Sequence, residues 1–377
     1  MSKAPRHIGL VAVGGSAWMG GANYIRNLGA AIRAASPDVN VSYIVGEPLA
    51  SEWLDVAPRH VVSSSNFFRR IMSGTRSLPE VIREAGIEFL YPLTYDNGYN
   101  LGLGWPVSPA LSGVGWAGWI PDFQHRHLPE FFSTDEIQRR DESIARLAAE
   151  APRIVFSSES AAEDFRLFHP DYAAKAVVWH FAVPPPKLED EPCAAPPRFF
   201  LVCNQFWAHK NHLVIFQALR LLRERGVHPL VLCTGQLDDY RARTFSDTIR
   251  AALDGLADQV TLLGLLPRVR QLALMRRALA IIQPSRFEGW STVVEDCRAL
   301  GRPALLSDLA VHREQNPPGA RYFNPQSAES LAELIAEAWR DWPAGPDFVA
   351  EQSAQLAARE TFVEAGRRFM ATVAIPA

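Results

Sequence analysis

The sequence predicts an α/β protein built from two Rossmann-like, doubly wound domains that face each other across a cleft. Three observations carry this. Short apolar runs alternate with helical spacings along the chain. A Pro-rich, charged stretch over 184–197, PPPKLEDEPCAAPP, divides it almost in half and reads as a linker. After that stretch the strand-then-helix alternation begins again. The expected division is an N-terminal domain over 1–183, the linker 184–197, a C-terminal domain over 198–345, and a C-terminal helix over 346–377 that returns to the N-terminal domain.

In the first half, Ile8–Val13 is a continuous apolar run, as suits a parallel strand covered on both faces. The loop Gly14–Gly21 follows, then Ile25, Leu28, Gly29 and Ile32 at helical spacing. Val39–Val45, Ile87–Tyr91, Gly115–Ile120 and Arg153–Ser157 are further strands, with a helix over Leu78–Ala85. In the second half the strands are Phe199–Cys203, Leu230–Thr234, Val260–Leu263, Ala280–Gln283 and Pro303–Leu306. The helices are His212–Glu224, Gln271–Arg277, Thr292–Leu300, Ser327–Trp339 and a long last one over Phe348–Ala374. Such alternation implies right-handed crossovers and ligands at the carboxyl ends of the strands.

Composition narrows the function. With 377 residues, 48% of them hydrophobic, the chain can fill two cores. Its 38 basic and 41 acidic residues leave a net charge of −3, which lacks the basic footprint of a nucleic-acid binder. The four cysteines, Cys193, Cys203, Cys233 and Cys297, form no C-x-x-C pair, so neither a zinc site nor a disulfide framework is suggested. A reducing compartment fits them. The apolar run after the polar Met1–His7 is too short for a secretory leader, and no stretch approaches the roughly 20 apolar residues of a membrane span. The expectation is a cytoplasmic protein, at most peripheral at the inner face of a membrane.

The segment Pro284–Asp296, PSRFEGWSTVVED, lies between a buried strand and a helix N-terminus. Backbone N–H groups of Ser291, Thr292, Val293 and Val294 are expected to be free there and, with the helix dipole, to suit a diphosphate. Glu288 on the turn before Gly289 and Trp290 can accept sugar hydroxyls. Glu295 or Asp296 can bind a ribose diol, although acids at this place also simply favour the helix N-terminus. A second segment, Asn204–His212 (NQFWAHKNH), follows the first strand of the second half, and a third, Ile120–Ser133 (IPDFQHRHLPEFFS), ends a strand of the first half. Gly14, Gly15, Gly20 and Gly21 allow close backbone approach to a ligand, but they do not form G-x-G-x-x-G, so the dinucleotide fingerprint fails.

These segments resemble the retaining glycosyltransferases of family GT4, which have the GT-B fold. Glu288 to Asp296 is similar to that family's E-x7-E motif: seven residues intervene before Asp296, with Glu295 beside it. Gly301 to Glu314 is similar to the motif's continuation. Asn204–His212 resembles the segment G-R-x-x-x-x-K-N, whose arginine and lysine neutralise the donor diphosphate. Lys210 matches the lysine and Gln205 replaces the arginine, leaving His209 or Arg286 to supply the missing charge. Ile120–Ser133 resembles H-D-x-x-P-x-x-x-P-E-x-F. Asp122 matches the aspartate, Pro121 stands where the histidine falls, and His125 is the histidine available instead.

The resemblance implies transfer of a hexose-type sugar, with retention and without a metal or cofactor, from a nucleotide-diphosphate donor of UDP, GDP or dTDP type. The acceptor is a glycan, a lipid-linked saccharide or a small molecule. Catalytic roles fall on Asp122, His125, Lys210 and Glu288. Donor contacts fall on Gly14, Gly15, Gly20, Gly21, Asn204, Gln205, Lys210, Arg286, Glu288 to Val293, Glu295 and Asp296. The same fold also serves nucleotide-sugar epimerases and phosphorylases, and the glutamine at 205 leaves room for a catalytically silent sugar-binding partner. Phe67–Arg76 sets apolar residues beside three arginines, which suits a membrane surface, while a short amphipathic helix with a solvated basic face is the simpler reading. Trp105, Trp116 and Trp119 suit sugar stacking or the core equally.

Overall fold

A computed structural model describes residues 4–63, 75–94, 111–187, 195–237 and 244–374. Most of the Phe67–Arg76 segment, Trp105, Cys193 and the middle of the Pro-rich stretch lie outside the described residues. The chain forms two compact units. Unit 1 holds residues 1–123, 134–184 and 360–377; unit 2 holds 124–133 and 185–359. Each contains one wholly parallel sheet.

In unit 1 the strands are β1 (His7–Val11), β2 (Asn40–Gly46), β3 (Arg59–Val62), β4 (Phe89–Leu93), β5 (Gly115–Trp119), β6 (Ile154–Phe156) and β7 (Ala176–Val178), in the order β3-β2-β1-β4-β5-β6-β7. In unit 2 they are β8 (Phe200–Cys203), β9 (Val231–Thr234), β10 (Val260–Gly264), β11 (Ile281–Gln283), β12 (Ala304–Ser307) and β13 (Ala320–Phe323), in the order β10-β9-β8-β11-β12-β13. The strand order reverses between β1 and β4 in the first sheet and between β8 and β11 in the second. Those are the switch points at which doubly wound sheets open a crevice. Together they give the GT-B fold class, two Rossmann-like units.

The central strands form because both their faces are covered. Leu201 and Leu306 pack on one side of the second sheet with Leu272, Met275, Val294 and Leu300 from its helices. Phe200, Val202, Ile282 and Leu305 pack on the other with Ile215, Leu219 and Ile335. Burying each such side chain is worth about 1.5–3 kcal/mol. Three strands escape the sequence reading: β3, β7 and β13. All three are edge strands, covered on fewer sides and only partly buried: β3 and β13 each carry an arginine, and β7, Ala-Val-Val, is apolar but only three residues long.

Two pieces group differently from the sequence-based division. Residues 124–133, from the first half, belong to unit 2. There His127 lies 5.2 Å from Phe287, ring to ring. The last helix, Phe348–Ala374, is shared. Its first part is held in unit 2 by Glu351, which Arg276 Nη2 contacts at 3.0 Å, and its last part in unit 1 by Trp179, whose indole N–H donates to the Ala365 carbonyl at 2.8 Å. Among the described residues no helix is long and apolar enough to cross a membrane.

One buried group makes the fold sensitive to acid. His212, the first residue of the His212–Glu224 helix, is fully buried and stacks on Phe206 at 4.0 Å, and neither ring nitrogen has a hydrogen-bond partner among the described residues. Burial, with Lys210's charge second, pushes its pKa down to about 3. Below pH 6.5 the unfolded chain therefore binds a proton that the folded chain refuses. Stability present above that pH is lost as pH falls towards 3, by up to about 1.4 kcal/mol per unit. Urea unfolding midpoints measured from pH 7 to 4.5 should fall less steeply for His212→Leu than for the wild type; parallel slopes would rule His212 out as the cause.

Candidate functional site

The switch point of the second sheet brings the sequence-predicted residues of unit 2 together. Asn204, just after β8, donates from Nδ2 to Gln283 Oε1 at 3.0 Å and so ties the ends of β8 and β11. Lys210 closes a short 3-10 turn over Ala208–Lys210. Asn211 follows in the left-handed region at φ 58°, and its amide donates to the Pro284 and Pro325 carbonyls at 3.0 and 2.9 Å. That pin fixes the turn at the strand end, and Lys210 reaches Glu288 from it.

Glu288 is the centre of the cluster. Its Oε1 accepts from Lys210 Nζ at 2.6 Å, Gln283 Nε2 at 2.7 Å and Ser285 Oγ at 2.6 Å. Its Oε2 has no hydrogen-bond partner among the described residues. The ion pair is largely buried, with the Glu288 side chain 8% exposed. Burial raises the carboxyl's pKa, but Lys210, His312 and the hydrogen bonds outweigh that and hold it below its ordinary value. Glu288 is therefore an oriented carboxylate with one oxygen saturated and the other free to accept from hydroxyls.

His312, which the sequence reading passed over, lies behind this group. It is fully buried, and Nδ1 donates to the Ser307 carbonyl at 2.8 Å. Ser307 Oγ donates in turn to the Ser285 carbonyl at 2.6 Å, so the chain His312–Ser307–Ser285 supports the turn that carries Glu288. Burial lowers the His312 pKa despite the opposing charge of Glu288, and the ring is neutral at pH 7.

The helix Thr292–Leu300 corrects the expectation of four free amides. Ser291 is its N-cap and accepts from Val294 N–H at 3.4 Å. Ser291 N–H itself donates to Gln315 Oε1 at 3.1 Å. Thr292 and Val293 keep N–H groups without partners among the described residues, so two amides rather than four are available at this end of the dipole. Gln315 Nε2 completes the clamp, donating to the Ser291 carbonyl and to Glu295 Oε1, both at 2.9 Å. Only its place beside Glu314 in the quoted continuation could have drawn attention to Gln315.

Neither candidate ribose acid is open. Asp296 is 1% exposed, and both its oxygens accept from Arg268, end-on. Glu295 is 4% exposed, bound by Gln315 and by Arg298 at 3.2 Å. Burial raises both carboxyl pKa values against the pull of the arginines. Breaking such a buried pair by removing one partner costs about 3–5 kcal/mol.

Arg286 has its own counter-ion. It is exposed, donates to Glu130 Oε1 at 3.0 Å and lies over Phe131, while its backbone N–H is held by the His209 carbonyl at 2.8 Å. His209 is buried, and Gln205, Gly289 and Trp290 are partly buried. Asp122, partly buried after β5, belongs to unit 1; His125, 1% exposed and edge-on to Phe132, belongs to unit 2.

In the Gly14–Gly21 loop the chain's own side chains take much of the room. A Cβ on Gly21 would fall 2.8 Å from the Trp18 ring, and one on Gly15 would strike the Glu52 carboxylate, which accepts Ser16 N–H. Gly14 is at φ 67°, while Gly20 is less crowded, 3.4 Å from Trp18 Nε1. Trp116 and Trp119 are buried, and Trp119 stacks on Tyr24 at 4.1 Å, which places both in the core.

Residues 188–357 match the family model described as glycosyl transferases group 1. The match covers a little under half of the 377 residues. The whole chain shares its fold with solved glycosyltransferase structures at low identity. HepE of Anabaena, solved with UDP and glucose, has a TM-score of 0.68 at 14% identity, over 98% of this chain and 99% of that one. The UDP-forming α,α-trehalose-phosphate synthase of Burkholderia xenovorans, in complex with glucose-6-phosphate, has 0.65 at 13%, over 98% and 100%. The sucrose-phosphate synthase of Thermosynechococcus elongatus has 0.63 at 16%, over 98% and 96%. No match was found among curated proteins.

The Gln315 clamp is testable by itself. Gln315→Leu leaves the buried Ser291 N–H and carbonyl without that partner, and should lower unfolding stability by about 1–3 kcal/mol in urea titrations. An unchanged midpoint would show that the clamp contributes nothing.

Proposed function

We propose that the chain is a retaining, metal-independent glycosyltransferase of the GT4 type. It moves a hexose-type sugar from a nucleoside-diphosphate donor to a glycan, lipid-linked or small-molecule acceptor. The observation that carries this is the Lys210–Glu288 pair, with Glu288 Oε2 free, at a switch point beside a helix N-terminus. The donor diphosphate competes with Glu288 for Lys210 and takes the Thr292 and Val293 amides. Glu288 Oε2 accepts hydroxyls of the donor sugar. Positive charge comes from the ammonium, the amides and the dipole, so the reading needs no metal to bridge the phosphates.

In the step itself the bond from the anomeric carbon to the β-phosphate oxygen breaks as the acceptor oxygen bonds to that carbon. The acceptor's proton passes to the leaving phosphate on the same face, which gives retention. Negative charge grows on the leaving oxygen, and fixed donors aimed there lower the barrier. Asp122 and His125 are kept as catalytic candidates, the histidine for a hydroxyl of the donor sugar or for the acceptor. The work is assigned to the cytoplasm, with contact to the inner face of a membrane where the acceptor is lipid-linked.

The ligands named with the similar folds make UDP the first nucleotide to try. UDP at about 100 times its Kd should stabilise the protein by about 2.7 kcal/mol, read as a rise in Tm; GDP, dTDP and ADP serve as comparisons. Lys210→Ala should lose about 3–5 kcal/mol of stability and, measured where it is still folded, about 10²–10³ in kcat/KM for donor turnover. Near-normal turnover in that variant would overturn the proposal. Donor hydrolysis separates an enzyme from a silent sugar-binding chain, and product analysis without acceptor separates transfer from epimerisation.

A further inference from the structure

Asp296 has the spacing that the resemblance gives to a ribose-holding acid, yet a ligand meets Arg268 first. The Asp296 side chain is 1% exposed, and that of Arg268 is 47% exposed. Nη1 and Nη2 of Arg268 span both carboxylate oxygens. A ribose hydroxyl cannot reach that carboxylate without displacing the guanidinium. Glu295 offers no alternative, because Arg298 and Gln315 close it in the same way.

The position of Arg268 points the same way. It is the first residue of the helix Arg268–Arg277, after the carboxyl end of β10, and Asp296 is midway along the Thr292–Leu300 helix. The charges of both act on Cys203, the last residue of β8 and the neighbour of Asn204 in the sequence. Arg268 and Arg270 occupy the first turn of their helix with no acid in it. The helix dipole opposes cations there, so helix stability does not account for the placement. Two of the five guanidinium N–H groups bind Asp296, which leaves three for a ligand.

We infer that Arg268 meets the ribose of the donor nucleotide, donating to its hydroxyl oxygens, while Asp296 acts as the positioning residue that holds the guanidinium in place. The inference rests on the nucleotide-sugar reading above. It replaces an acid that accepts from the diol by a cation that donates to it.

The test measures Kd for UDP and GDP and for their 2′-deoxy forms, on the wild type, Arg268→Ala, Arg268→Lys and the double variant Arg268→Leu/Asp296→Leu. The double variant removes the buried pair as a unit, so no carboxylate is left uncompensated. The wild type should prefer the ribose form of its nucleotide by about tenfold, the scale of one well-placed hydrogen bond. Arg268→Ala and the double variant should bring that ratio near one while the deoxy form binds almost as before, with Arg268→Lys intermediate. A ratio that survives in the double variant overturns the inference. So does an equal loss for ribose and deoxy forms that follows diphosphate against monophosphate, which would make Arg268 a phosphate ligand. If neither UDP nor GDP binds the wild type, the nucleotide-sugar reading fails and takes the inference with it.

Discussion

A single carboxylate oxygen organises the second unit. Three donors converge on Glu288 Oε1: an ammonium from the loop after β8, an amide from the end of β11 and a hydroxyl from the turn after β11. Each donor alone leaves the side chain free to rotate; three on one atom fix the plane of the carboxylate and aim the second oxygen. The cost of burying the charge is offset because Lys210 is buried with it. Ser285, held from behind through Ser307 and His312, ties that geometry to β12 and the helix after it. Movement of the turn would therefore disturb the sheet's own hydrogen bonding.

The charges around this centre follow a pattern. Asp296 and Glu295 are buried on the helix and bound by Arg268 and Arg298, whose side chains remain the more exposed member of each pair. Anions are inside and cations outside. A surface of that kind, with two open amides of a helix N-terminus beside it, favours an anionic ligand more than the count of acids in the motif suggests. Arg286, by contrast, is neutralised by Glu130, so proximity in sequence to the motif does not make it part of that surface.

Legibility followed burial. Central strands such as Ile8–Val11 and Phe200–Val202 are apolar because both sheet faces are covered, and they could be read directly. The edge strands β3 and β13 were missed because half-covered strands need no such run, and β7 because its apolar run is only three residues long. Lys210 and Glu288 were legible as candidates because each stands at a strand end in a quoted motif. Gln315 and Arg268 were not, because their importance comes from Ser291 and Asp296, which they reach across 24 and 28 residues of chain; His312 acts through Ser307, whose hydroxyl reaches Ser285 across 22. The Gly14–Gly21 loop was legible as a turn, but not the fact that Trp18 and Glu52 occupy the space its glycines leave.

Sequence alone determined the alternation of strands and helices, the break near the middle and the residue types at the second strand-end loop, because periodicity and turn chemistry are local properties of the chain. Tertiary structure decided which oxygen of Glu288 is free, which amides of the Thr292 helix remain open and which acids are closed by arginines. Those depend on side chains from separate strands and helices meeting in one place, and pairing across space leaves no periodic trace along the chain.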